Sequence, residues 1–169
     1  PCHLTVPAGL SFISCRTASE MNRYVEKHFL DCNVLIMSAA VGDFAPKNVK
    51  KEKIKKTNIA PLTLELLPTE DILQNVIKFK TKQFVVGFAA ESENLTQSAL
   101  EKLRNKDLDL IVANDISSPG IGFQSDSNQV TLIKRNEEIK KLPTLSKVEI
   151  AHILLNDIRS SLLGVSSSP

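Results

Sequence analysis

The sequence predicts an α/β fold with a mostly parallel sheet, on three observations. Apolar runs short enough for strands alternate with stretches of helical spacing, in the strand–helix–strand order that parallel sheets use. Those runs, at residues 10–15, 33–40, 84–90 and 108–113, are mostly apolar rather than alternating, as strands covered on both faces are. A chain of 169 residues, 42% hydrophobic and 24% charged, makes one ordinary domain with a proper core.

Residues 1–9 read as loop because of Pro1, Pro7 and Gly9. Residues 10–15 read as a buried strand. Thr17 and Glu20 then form a capping box, followed by a helix that faces inward through Ala18, Met21, Tyr24, Val25 and His28/Phe29. Residues 33–40 return to a strand. After a lysine-rich loop, Leu62, Leu64 and Leu66 alternate with Thr63 and Glu65 as a strand with one wet face. Thr69 is the expected cap of the next helix, with Glu70 and Asp71 in its first turn and Ile72, Leu73, Val76 and Ile77 buried. A strand at 84–90, a helix at 95–106 (Leu95, Ala99 and Leu103 inward) and a strand at 108–113 follow. Residues 117–128 form a turn-rich loop. Segments 129–133 and 138–142 form a hairpin around Arg135 and Asn136. Ser146 and Glu149 form a second capping box, opening a last helix with Ala151, Leu154, Leu155 and Ile158 inward. Residues 161–169 read as a frayed tail.

Composition narrows the function. No apolar run approaches the roughly 20 residues of a membrane helix, and no signal peptide is evident. Cys2, Cys15 and Cys32 lack metal-type spacing and His3, His28 and His152 are scattered, so the reading is reduced thiols, a cytoplasmic protein and no metal held by side chains. One tyrosine and no tryptophan leave little stacking surface for nucleic acid.

Charge is concentrated in one place. Between Lys47 and Lys56 stand six lysines and one glutamate, against a net charge of +2 for the whole chain. Beside it, three strands end in small residues followed by a polar group: Ser38, Ala39 and Ala40 with Asp43; Phe88, Ala89 and Ala90 with Glu91; Val112 and Ala113 with Asn114 and Asp115. Ligands of open α/β sheets bind at such carboxyl ends, and concentrated cations suit phosphates. The plain alternative is a solvated loop, alanines that allow close packing, and acids that cap helices. Neither G-x-G-x-x-G nor a Walker sequence is present.

The motifs SAAVGDF (38–44), KIKK (53–56), EDIL (70–73), VGFAAE (86–91), KLRNKDLDLIVANDI (102–116) and GFQSDSNQV (122–130) stand in an order and spacing that resemble phosphopantothenate–cysteine ligase, the synthetase half of a bacterial bifunctional coenzyme A biosynthesis flavoprotein. The resemblance implies a Rossmann-like three-layer sandwich with a lysine flap and a C-terminal hairpin. It also implies CTP-dependent ligation of 4′-phosphopantothenate with L-cysteine through an acyl-cytidylate, with Mg²⁺ as cofactor. By motif match, Met37, Ser38, Ala39, Asp43, Lys53, Thr69, Glu70, Asp71, Ile72, Phe88, Lys102 and Lys106 would bind the nucleotide, with Lys53 also the catalytic flap lysine. Ala40 and Asn114 would face the other substrates. Thr69 and Glu70 stand where the family has Asn and Pro. No role is assigned to Asp115 or to the loop 122–128. The resemblance further implies a homodimer, for which the hairpin at 129–142 is a candidate interface, and a fused or associated flavin decarboxylase domain. The family's first strand, its G-P-T-R-E-type turn and its N-H-S-S-G-like segment are not found here, so the chain reads as a single ligase domain lacking its first strand–helix unit. Two other readings stay open: a noncatalytic nucleotide- or phosphate-binding module, and an interaction or nucleic-acid module using the lysine flap.

Overall fold

A computed structural model describes residues 5–50, 52–55, 62–91, 94–115 and 126–164. In chain order the elements are α1 (Ala18–Phe29), β1 (Val34–Met37), β2 (Phe44–Pro46), β3 (Leu66–Pro68), α2 (Ile72–Ile77), β4 (Phe84–Glu91), α3 (Leu95–Asn105), β5 (Leu110–Asp115), β6 (Ser127–Asn128), β7 (Val130–Lys134), β8 (Ile139–Lys141), β9 (Leu145–Ser146) and α4 (Lys147–Leu163). The main sheet runs β1-β4-β5-β7-β8. Its first three strands are parallel and the β7–β8 hairpin extends it antiparallel. It is thus the mixed, mostly parallel sheet flanked by helices that the sequence predicts. No helix among the described residues is long and apolar enough to cross a membrane.

Alternation along β4 and β5 sends side chains to two cores. Val85, Ala89, Ile111 and Ala113 pack with Phe29 of α1, Val76 of α2, and Ala99 and Leu103 of α3. Val86, Leu110 and Val112 pack with Ile150, Leu154 and Ile158 of α4. Gly87 marks the tightest point of the first layer: a Cβ there would stand 2.6 Å from Leu108 Cδ1. Both predicted capping boxes are present, Thr17 with Glu20 and Ser146 with Glu149.

Several expectations fail for identifiable reasons. Residues 10–15 form no strand; Leu10 and Phe12 are exposed and no ladder joins them to the sheet. β1 is therefore an edge strand, only partly buried, rather than covered on both faces. Leu62, Leu64 and Leu66 are all exposed; only residues from Leu66 are strand, and they pair with β2 in a separate two-stranded ribbon. The cap of α2 is Asp71, whose carboxylate accepts the Gln74 N–H, and not Thr69. On α4, Ala151 and Leu155 face outward, while Ile150 and Asp157 join Leu154 and Ile158 inside. Residues 161–163 complete the last turn of α4, capped by Gly164 in the left-handed region. Lys51, Lys56, most of the loop 117–128 and residues 165–169 lie outside the described residues.

Candidate nucleotide site

The carboxyl ends of β1 and β4, the approach to α2 and one flank of α3 enclose a cavity of about 770 Å³. Its wall includes Met37, Ser38, Ala39, Ala40, Asp43, Thr69, Glu70, Asp71, Ile72, Phe88, Lys102, Lys106 and Asn114. These are all the residues singled out from the sequence except Lys53. Lys53 is exposed and not on that wall.

Each contributor is held by local structure. Met37 ends β1 opposite Gly87 of β4. The chain then turns over small residues, and Gly42 and Asp43 are clipped to the α2 approach. There, Thr69 Oγ1 donates to the Gly42 carbonyl at 2.6 Å and the Thr69 N–H to the Asp43 carbonyl at 2.8 Å. So Thr69, which fails as a cap, instead joins two sides of the rim. Phe88 points into the cavity from the centre of the sheet and remains 40% exposed, leaving an apolar face for a planar ligand. Asn114, opposite Ala90 on β5, has a buried Oδ1 with no hydrogen-bond partner among the described residues. A buried carbonyl oxygen in that state calls for a water or ligand donor.

The two lysines are not free. Lys102 Nζ lies 2.6 Å from Glu91 Oε1 and Lys106 Nζ 2.8 Å from Asp71 Oδ2. Sequence spacing put these lysines on one face but carried no signal for their acidic partners. Counting Asp43, Glu70 and Asp71 against Lys102 and Lys106, the wall holds more acid than base. An anionic ligand here needs cations from elsewhere, which leaves room for a flap lysine and a metal. Among the described residues no group of three or more His, Cys, Asp or Glu could hold a metal. A Mg²⁺ would therefore be held chiefly by phosphate oxygens.

The Asp71 carboxyl is pushed up by burial, yet the hydrogen bond from Lys106, the Gln74 N–H and the Lys106 charge together hold it below the usual carboxylate range. A lowered folded-state pKa means stability that is present above the unfolded value and lost as the pH falls through the folded one. Asp71→Asn, which keeps a capping side chain, should therefore melt below the parent at pH 7. The gap should close below about pH 4, near and under the unfolded carboxylate value. A gap of equal size at pH 7 and pH 3 would contradict this role for the pair.

The β2–β3 ribbon is tied by an ion pair of 2.7 Å between Lys47 Nζ and Glu65 Oε1, and by the Lys47 N–H to the Glu65 carbonyl. Lys53 follows six residues after Lys47, and six extended residues reach about 20 Å.

Comparison with known proteins adds the context. The family model described as DNA/pantothenate metabolism flavoprotein C-terminal domain matches residues 1–162. The chain is 40% identical over 159 residues to the coenzyme A biosynthesis bifunctional protein CoaBC of Bacillus subtilis (strain 168), covering 94% of this chain and 39% of that protein. It is 36% identical over 150 residues to a cysteine/cysteine sulfinic acid decarboxylase of an unknown prokaryotic organism, covering 88% of this chain and 42% of that protein. The crystal structure of the C-terminal domain of a coenzyme A biosynthesis bifunctional protein CoaBC superposes with a TM-score of 0.79 at 33% identity, over 97% of this chain and 72% of the other. The chain thus spans about two fifths of the length of the curated relatives it matches.

Proposed function

The chain belongs to the DNA/pantothenate metabolism flavoprotein C-terminal domain family, and on that premise we propose that it is the ligase part of a coenzyme A biosynthetic enzyme. It joins 4′-phosphopantothenate to L-cysteine at the expense of CTP. The observation that carries this reading is the cavity at the β1 and β4 ends, walled by the residues, Lys53 excepted, that the motif match nominates for the nucleotide.

In the proposed reaction the substrate carboxylate attacks the α-phosphorus of CTP and pyrophosphate leaves. The cysteine amine then attacks the acyl carbon, and CMP leaves with the bonding electron pair. Backbone at Met37–Ala39 and the Phe88 ring support the nucleoside, and Asp43 accepts from a sugar hydroxyl. Closing the flap brings Lys53 to the phosphates and supplies positive charge that the acid-rich wall lacks. Lys102 and Lys106 meet the phosphates by giving up Glu91 and Asp71. Mg²⁺ carried by the nucleotide would neutralise phosphate charge. A homodimer, a fused flavin decarboxylase domain and a cytoplasmic setting belong to the same reading.

The test is pyrophosphate release by the protein supplied with CTP, phosphopantothenate and cysteine, with ATP in a parallel arm. The expected result is release that requires the carboxyl substrate and is faster with CTP. Saturable CTP binding without any release would favour the noncatalytic nucleotide-binding module. No CTP binding at all would overturn the site assignment itself.

A further inference from the structure

A second cavity, of about 430 Å³, opens where the start of α3 meets the β7–β8 hairpin, with Thr96, Gln97, Thr131 and Lys141 in its wall. We propose that this cavity is a binding site for a small oxyanion, a phosphate or carboxylate group, separate from the nucleotide cavity.

Two independent observations carry it. The first is the start of α3. Its N-cap, Asn94, sits at φ 50 and makes no side-chain cap bond. The first intrahelical backbone bond there is from Ser98 N–H to the Asn94 carbonyl, so the N–H groups of Leu95, Thr96 and Gln97 point out of the helix end without a cap among the described residues. Such a turn favours negative charge. The second is Thr131. It is only 7% exposed, and among the described residues its hydroxyl has no hydrogen bond. Its neighbours Val130 and Leu132 enter the α4-side core, so the Thr131 side chain stands on the α3 side, beside Ile133. A hydroxyl that opens into a cavity without a protein partner is free to donate to a ligand oxygen or to water.

The charge is supplied from the neighbouring strand. Lys141 pairs directly with Thr131 across the β7–β8 ladder and makes no ion pair among the described residues. Asp115 stands on the same wall, already engaged with a partner, and limits affinity for an anion to the modest range. Helix-end N–H groups, one hydroxyl and one ammonium supply donors enough for an oxyanion, with the Asp115 carboxylate opposing them on the same wall.

The test is amide chemical-shift titration of the isotope-labelled protein with inorganic phosphate and, separately, acetate. The expected result is saturable shifts at the amides of Thr96, Gln97 and Thr131. Thr131→Val should weaken binding about fivefold, the loss of one hydrogen bond, while Thr131→Ser keeps it. Saturation by phosphate alone, acetate alone or both supports the site and identifies its preferred anion. Lys141→Gln, an exposed change that leaves folding intact, should also weaken binding. Absence of saturable shifts with either anion would overturn the proposal. So would shifts that Thr131→Val and Lys141→Gln both leave unchanged, or shifts confined to residues of the nucleotide cavity such as Ser38 and Lys102. A CTP titration in the same samples reports on the nucleotide cavity independently.

Discussion

Lys53→Gln is expected to lower pyrophosphate release by about 100-fold or more, the scale of removing one electrostatic partner of a developing charge. The cavity wall holds Asp43, Glu70 and Asp71, and its two lysines are paired to carboxylates at 2.6 and 2.8 Å. In the proposed reaction a triphosphate gains Lys102 and Lys106 only at the cost of their carboxylate pairs, so the flap cation would carry a large share of the stabilisation. The Lys47–Glu65 pair ties the β2–β3 ribbon, and Lys53 follows six residues after Lys47. Lys53→Arg keeps the charge and should retain part of the rate, whereas Glu52→Gln on the same segment should leave it within a few-fold. Release by Lys53→Gln within about threefold of the parent would remove Lys53 from the proposed mechanism.

Asp109→Ala is expected to destabilise the fold by about 3 kcal/mol, the scale of breaking a largely buried pair. Asp109 sits at the amino end of β5, opposite the site. One carboxylate oxygen accepts the Val85 N–H at 2.7 Å and meets Lys80 Nζ at 2.7 Å; the other meets Arg135 Nε at 3.1 Å. Val85 is fully buried and the Lys80 side chain is only 12% exposed. Removing the carboxylate orphans the buried Val85 N–H and takes from Lys80 its shortest ion pair, leaving it the Asp107 carbonyl at 2.8 Å and the Asp107 carboxylate at 3.9 Å, while Arg135 keeps Asp107 at 2.7 Å. The melting temperature should fall by about 6–12 °C for a domain of this size. Arg104→Ala, which breaks a solvent-exposed pair with Glu137, should cost under about 1 kcal/mol. A loss under about 1 kcal/mol for Asp109→Ala as well would show that the cluster is solvated rather than structural.

What the sequence revealed and what it hid divide along physical lines. The two capping boxes were legible because each is a side chain and a backbone group three residues apart. β4 and β5 were legible because strands buried on both faces are apolar nearly throughout. The wall of the cavity was legible because strand ends, their small residues and the family motifs coincide. The rest depended on partners distant in sequence. Residues 10–15 are as apolar as a strand but find none to pair with. α4 carries two overlapping apolar stripes, and the one containing Asp157 won because Lys134 and Lys140 of the hairpin stand near its carboxylate at 3.8 and 3.4 Å. Asn22, buried on α1, reads as a surface residue until Asn75 of α2 donates to it across the helix pair. No local pattern announces that Glu91 and Asp71 hold the two lysines.

The position of β1 at the sheet margin has a kinetic side. Met37 and the residues that follow it form one wall of the cavity, yet their strand is laddered on a single flank, to β4. Among the described residues no strand is laddered to its outer flank, so β1 can peel away without disturbing β4 or β5, both of which are laddered on two flanks. Local opening of such a margin takes less free energy than global unfolding. Amide exchange would therefore run fastest on β1 and slowest on β5, and the nucleotide platform would be the part of the sheet that breathes.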